Sequence, residues 1–270
     1  MKKYIIIILG LLLIITTGCF NTEKAANNSV NTKVVSVTDF TIGDFQDALE
    51  IASEKACSSV VAIVDSGAVM SSLGSAVVIK RSALHNGVIV ADDAPIIEEY
   101  EYLAITNYHV VDSESIRRIM RIYMSDNTSE SGYQTSAVTL VEYNESADLA
   151  ILKFRTNIYC VPATIQDSKD VKKGQIVLAV GTPLGLQNFN TVTMGIVSHP
   201  YRLNVEDNHY YIQHDAAINS GNSGGGLFNI EGKLIGINSA RAVKKNEDVD
   251  GISYAIPTSV VLTLYGQYFQ

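Results

Sequence analysis

The chain of 270 residues is long enough for one ordinary domain or two small ones packed together. Hydrophobic residues make up 47% and charged residues 18%, which supports a packed core and excludes wholesale disorder. The formal net charge of −8 repels phosphate backbones and anionic lipid, so nucleic-acid binding is disfavoured from the outset.

The N-terminus reads as a targeting segment. Lys2 and Lys3 give a basic start, and Ile5 to Ile15 is an apolar run broken by Gly10, too short to cross a bilayer comfortably. Thr16-Thr17-Gly18-Cys19 follows and resembles the lipobox of bacterial lipoproteins, in which a small residue precedes a cysteine that becomes lipidated and N-terminal. The aliphatic residue usual three positions before that cysteine is replaced by Thr16. Residues 1–19 are therefore expected to be a lipoprotein signal peptide, with Cys19 the lipidation site. The mature chain is then secreted and anchored to the outer face of the bacterial cell membrane, touching the membrane only through the lipid; ordinary secretion is the plainer alternative. Residues 20–38 are rich in Asn, Thr, Ser and Lys and read as a flexible tether. Outside the cytoplasm a disulfide between Cys57 and Cys160 is permitted but not implied, two free thiols fit equally well, and the spacing offers no zinc site.

The folded body is expected over 39–270. Asp44 to Cys57 places Phe45, Ala48, Leu49, Ala52 and Ala56 at helical spacing, which predicts one short helix. Short β-branched runs then follow at close intervals: Val60–Val64, Ser75–Ile79, Tyr102–Thr106, Ile116–Tyr123, Ala137–Tyr143 and Leu149–Phe154. A second series comprises Ile176–Val180, Val192–Val197, Tyr210–Gln213, Gly226–Phe228, Lys233–Ile237 and Ile252–Ala255. Gly, Asn, Asp or Ser punctuates nearly every gap, the texture of an all-β barrel or sandwich. Two sets of about six strands predict two antiparallel β-barrels, near 57–156 and 170–262, with 83–99 as a long loop interrupting the first.

Chemistry concentrates in three places. Gly221-Asn222-Ser223-Gly224-Gly225 would expose a serine oxygen on a tight glycine-flanked turn, with the Gly221 and Ser223 amides as natural oxyanion donors. A serine hydroxyl needs a base, and the base needs an orienting acid. His109 directly follows a predicted strand, whereas His85, His199, His209 and His214 sit in less suitable settings. Asp148 directly precedes an apolar strand and can be half-buried, as an acid that fixes a histidine tautomer must be. Asp112 shares the segment of His109, and Asp215 is the reserve acid. The catalytic set predicted is His109, Asp148 and Ser223, with Gly221, Asn222 and Ser223 forming the oxyanion hole.

That chain order, together with Thr106–Val111, Asp148–Leu152, Val180–Leu186, Thr193–Ser198, Asp215–Gly225, Leu234–Asn238 and Gly251–Pro257, resembles the HtrA (DegP-like) branch of the trypsin-fold serine proteases over roughly Asp44 to Val261. The resemblance implies a chymotrypsin-like pair of six-stranded barrels with the triad in the cleft between them. Serine endopeptidase activity toward unfolded or extended polypeptides would follow, with no metal or organic cofactor. Three departures stand out. Gly226 occupies a position usually held by proline, and the segment 83–99 is long enough to gate the cleft. The chain also ends at Gln270 without room for a PDZ-like domain, so regulation through one is expected to be absent. The resemblance puts Ala217, Ile218 and Asn238 near the specificity pocket. None is acidic, and Thr and His do not stand at Ile218 and Asn238 as in glutamate-specific relatives, so cleavage after small or medium aliphatic residues is expected. Relatives also suggest a homo-trimer, with Phe40 and Phe45 as contributors. The rival readings are a catalytically silent surface protein or a chaperone that binds peptides on the same fold, and an esterase.

Overall fold

A computed structural model describes residues 41–66, 71–112, 119–125, 133–205, 208–240 and 250–269. The segments expected to be a signal peptide (1–19) and a tether (20–38), with Cys19 and Phe40, lie outside the described residues.

The body opens with helix α1 (Ile42–Cys57). Thr41 caps it: its hydroxyl accepts the Asp44 amide at 3.2 Å, and the Asp44 carboxylate accepts the Thr41 amide at 2.7 Å. Only Ala52 and Ala56 are fully buried on this helix, so it lies on the barrels rather than inside them.

The first sheet contains β1 (Val60–Ser66), β2 (Ser71–His85), β3 (Val88–Val90), β4 (Glu99–Thr106), β5 (Ile119–Ser125), β6 (Tyr133–Asn144) and β7 (Leu149–Thr156). Their order is β1-β5-β6-β7-β4-β2-β3, and β1 also pairs with β2, so six strands form a closed ring of pairings with β3 outside it. The long strand β2 makes this closure possible: Ser71 to Val77 bonds β1, and Val77 to Leu84 bonds β4. The second sheet is a closed six-stranded barrel, β10-β13-β12-β11-β8-β9. Its strands are β8 (Ile176–Gly181), β9 (Thr191–Asn204), β10 (His209–His214), β11 (Gly226–Asn229), β12 (Leu234–Asn238) and β13 (Ser253–Pro257). All pairings between these named strands are antiparallel, and the all-β double-barrel fold read from the sequence is the fold observed.

Two features differ from the sequence reading. Residues 83–99 are not one loop. β2 continues to His85, turns through Asn86 (φ 52°) and Gly87 (φ 74°), and returns as β3. Two consecutive positive-φ residues of the Asn-Gly type make the two-residue turn whose twist matches a hairpin. This hairpin adjoins Glu99, the first residue of β4, whereas His109 follows the last; eight residues of strand separate them by roughly 25 Å. The segment therefore lies at the end of β4 away from His109 and does not gate that site. The second difference is an additional helix, α3 (Thr258–Tyr265), which starts directly after Pro257 and buries Val261 and Tyr265.

Three apolar cores result. Val61, Ile63, Val78, Ala104, Ile122 and Leu152 fill the first barrel, and Val177, Val197, Ile212, Leu227 and Ile235 fill the second. A third joins them, with Val77, Ile105 and Leu149 meeting Leu178, Phe228 and Tyr265. Cys57 and Cys160 are free thiols rather than a disulfide; the Cys160 Sγ lies against the Met124 Sδ.

His214, at the end of β10, is fully buried in the second barrel. Burial lowers its pKa from the ordinary 6.5 to about 4, partly offset by Asp215 and the Ala216 backbone. The unfolded chain binds this proton first as pH falls, so stability is fully present above about pH 6.5 and is lost progressively toward pH 4. The full effect is about 3 kcal/mol. Urea midpoints measured from pH 7.5 to pH 5 should fall, and His214→Leu should flatten that slope; an equal slope in both proteins would remove His214 as its source.

Candidate active site

Register brings the first two groups together. In the β4–β7 pair, Thr106 faces Ala150. The chain leaving β4 and the chain entering β7 therefore emerge at the same end of the barrel. After β4, a single helical turn, α2 (Tyr108–Val111), carries His109 and is anchored by buried Val110 and Val111. Before β7, the turn 145–148 is closed by the Asp148 amide on the Glu145 carbonyl at 3.1 Å and by the Ala147 amide on the Asn144 side chain at 2.9 Å. Asp148 itself adopts φ 52°, a left-handed conformation that Asp tolerates better than most residues. The Asn107 side-chain amide clamps the Asp148 carbonyl at 3.1 Å.

The Asp148 carboxylate contacts His109 twice. Oδ2 lies 2.7 Å from Nδ1, and Oδ1 accepts the His109 backbone amide at 2.9 Å. Both side chains are largely sheltered, 22% and 16% exposed, which strengthens the interaction relative to one in open water. With a carboxylate at Nδ1, that nitrogen carries the hydrogen and Nε2 is left as the basic position. The reserve acid Asp215 is engaged elsewhere, its Oδ1 accepting the Ile196 amide at 2.6 Å. Asp112 is exposed at the end of α2.

Ser223 is 5% exposed and sits on the loop joining β10 to β11. Its Oγ accepts the Ala240 amide at 3.2 Å, which leaves the hydroxyl proton free to be donated; no hydrogen bond joins Oγ to His109 in this structure. The loop is held carbonyl by carbonyl. Ser220 O accepts from Leu184 N at 2.9 Å, Gly221 O from Ser75 Oγ at 2.8 Å, Asn222 O from Gly225 N at 3.0 Å and Ser223 O from Ser75 N at 2.8 Å. In a trans peptide the N–H points opposite to the C=O. Tethering Ser220 O and Asn222 O therefore turns the Gly221 and Ser223 amides away from Leu184 and Gly225, and neither amide donates to any described residue. The Asn222 amide, by contrast, is committed to the Asn219 carbonyl at 3.0 Å, so of the three residues expected at an oxyanion hole only two offer an uncommitted N–H.

Two glycines are required by this geometry. Gly221 has φ 100°, and a Cβ there would strike the Thr182 carbonyl; Gly224 has φ 82°, and a Cβ there would strike the Ser75 carbonyl and the Thr106 hydroxyl. Gly226, expected from the resemblance to be proline, begins β11 as a buried residue whose Cβ position is filled by the Phe228 ring. The departure is absorbed within the strand and leaves the serine turn intact.

Of the three specificity residues expected, Ala217 is exposed, Ile218 is half-buried and Asn238 is fully buried, with its side-chain amide donating to the Gly226 carbonyl at 2.9 Å. Ser75 was missed entirely in the sequence reading, and no local signal marks it: it is one polar residue at the start of an apolar run. Among the described residues no group of His, Cys, Asp and Glu side chains is arranged to hold a metal ion.

Comparison with known proteins places this geometry in context. The family model described as "Trypsin-like peptidase domain" matches residues 85–237. The chain is 34% identical over 256 residues to the serine protease Do-like HtrA of Lactococcus lactis subsp. cremoris, covering 90% of this chain and 56% of that protein. It is 37% identical over 190 residues to the periplasmic serine endoprotease DegP of Salmonella typhimurium, covering 70% of this chain and 36% of that protein. Among solved structures, the HtrA-type protease AlgW with a tripeptide superposes with a TM-score of 0.62 at 30% identity, over 82% of this chain and 64% of that one. The serine endoprotease from Yersinia pestis gives a TM-score of 0.59 at 28% identity, over 82% and 66%. The chain thus spans about a third to just over half the length of these curated relatives. With the matched segment and the double barrel in agreement, the chain belongs to the trypsin-like peptidase domain family, and the relatives it is similar to are HtrA and DegP proteases.

Proposed function

We propose that this protein is a secreted serine endopeptidase that hydrolyses peptide bonds of extended or unfolded proteins, with His109, Asp148 and Ser223 as its triad. The observation that carries this reading is the double contact of the Asp148 carboxylate with His109, one oxygen on the ring and one on the backbone. That arrangement fixes both the ring's orientation and its tautomer, as a general base requires. The HtrA and DegP relatives, all named as serine proteases, support the same reading.

In the proposed reaction, His109 Nε2 takes the Ser223 proton as Oγ attacks the substrate carbonyl carbon. Asp148 stabilises the imidazolium that forms, and the Gly221 and Ser223 amides receive the oxyanion. The proton passes from His109 to the leaving amine as the C–N bond breaks, giving an acyl-enzyme and a free amino terminus. Water then repeats the sequence with His109 as base, releasing the carboxylate and restoring Ser223. The Ser223 hydroxyl, held by the Ala240 amide in this structure, must aim its proton at His109 for the first step. No step calls for a metal or organic cofactor.

None of Ala217, Ile218 and Asn238 carries a charge, which supports cleavage after small or medium aliphatic residues. An extended chain can add to a barrel edge through its backbone, which favours unfolded substrates. The test is to digest a permanently unfolded protein and sequence the new termini. Cuts after Ala, Val, Ile or Leu are expected, and cuts mainly after Arg, Lys or Glu would overturn the pocket reading. The lipobox-like segment supports a lipid anchor at Cys19 on the outer face of the membrane.

A further inference from the structure

Ser75 lies in β2, in the first barrel, 148 residues before the proposed nucleophile in the second, and is fully buried. Every polar atom it owns is used at the junction between the barrels. Its hydroxyl donates to Gly221 O at 2.8 Å and accepts from Thr182 N at 3.0 Å. Its amide donates to Ser223 O at 2.8 Å. Its carbonyl accepts the Thr106 hydroxyl at 2.6 Å, at the strand end that leads to His109.

We infer that the Ser75 hydroxyl is a positioning group for the oxyanion-binding amides, acting through Gly221; this deepens the protease reading and rests on it. The peptide between Gly221 and Asn222 lies between the two peptides whose N–H groups are uncommitted. Gly221, with φ 100° and no Cβ, is little constrained by sterics of its own. The bond from Ser75 Oγ holds the carbonyl end of this peptide, whose N–H end is held by the Asn219 carbonyl, and so helps set the angle between the two donor amides. The same oxygen ties Thr182 N, so the chain leaving β8 and the serine loop are referenced to one atom of the opposite barrel. A donor pair held this way is preorganised toward an oxyanion instead of reorganising as charge develops.

Removal of the hydroxyl leaves Gly221 O and Thr182 N without this partner in a buried junction, while the backbone bond from Ser75 N to Ser223 O survives any substitution except proline. Ser75→Ala therefore removes the hydroxyl's two bonds, to Gly221 O and Thr182 N, and spares the backbone bond to Ser223 O. Ser75→Cys keeps a weak donor at the same place.

The experiment compares wild type with both variants in four measurements: kcat and KM on a peptide ester, affinity for a peptide aldehyde that forms an anionic hemiacetal on Ser223, thermal midpoint, and amide hydrogen exchange across 219–225. The expected result is a 10- to 100-fold fall in kcat for Ser75→Ala, with KM within twofold. Aldehyde affinity should fall by the same factor, exchange over the loop should quicken, and Ser75→Cys should lie between. The pH at which activity falls on the acid side should not move, because the His109–Asp148 pair is untouched. A folded Ser75→Ala with kcat within twofold of wild type, or a loss appearing only in KM or only in the thermal midpoint, would overturn the inference. Should wild type itself hydrolyse nothing and bind no aldehyde, the protease reading fails; the exchange measurement still decides the clamp, and unchanged exchange over 219–225 rejects it. If Ser75→Ala does not fold, the same comparisons are read from Ser75→Cys against wild type.

Discussion

Ser223→Ala is expected to lower kcat for peptide hydrolysis by about 10⁶-fold while leaving the fold and thermal midpoint essentially unchanged. The change removes one oxygen whose contact in the structure is the Ala240 amide at 3.2 Å. The loop does not depend on that oxygen for its shape. Its carbonyls are tied to Leu184, Ser75 and Gly225 by bonds that the alanine variant retains. The expected loss is therefore chemical, and peptide binding should survive it. A variant that kept a tenth of the wild-type rate would remove Ser223 as nucleophile, and retention of all cellular function would favour a chaperone reading instead.

Asp148→Asn is expected to cost about 10⁴-fold in kcat at nearly unchanged shape. Asparagine can still accept the His109 backbone amide at the Oδ1 position and still tolerate the left-handed turn. Its –NH₂ group, however, would face Nδ1 where a carboxylate oxygen now sits at 2.7 Å. Nδ1 must then act as acceptor, which places the hydrogen on Nε2 and leaves no base toward Ser223. Asp215→Asn is the control: its carboxylate supports the Ile196 amide and not His109, so its effect on kcat should be small by comparison. Equal losses in the two variants would contradict the assignment of Asp148.

Much of this architecture is written locally in the chain. The twelve expected strand runs each fall within or overlap an observed strand, because alternating β-branched segments bounded by turn residues carry their own signal. The glycines at 221 and 224 were legible for a related reason: a serine on a tight turn needs neighbours without side chains, and the collisions a Cβ would meet show why. The β3 hairpin was legible too and was passed over, since Asn86-Gly87 between apolar segments is a strong turn signal. Helix α3 was obscured by Val260, Val261 and Thr263, β-branched residues that favour strands, although Pro257 before it is a helix-start signal.

What the chain does not display locally is long-range register. That His109 meets Asp148 depends on Thr106 facing Ala150, a pairing set by how two barrel strands slide against each other. The role of Ser75 is of the same kind. Nothing around it in sequence distinguishes it from a strand residue that happens to be polar. Its partners at Thr182, Gly221 and Ser223 come into reach only when the two barrels pack.

Ser223 is proposed as a nucleophile activated by His109. The deciding measurement treats the folded protein with a fluorophosphonate probe, then reads intact mass and maps the modified peptide. One probe per chain is expected at Ser223, absent in Ser223→Ala and nearly absent in His109→Ala. Correctly folded wild type that takes up no probe, or takes it up at another residue, would contradict it.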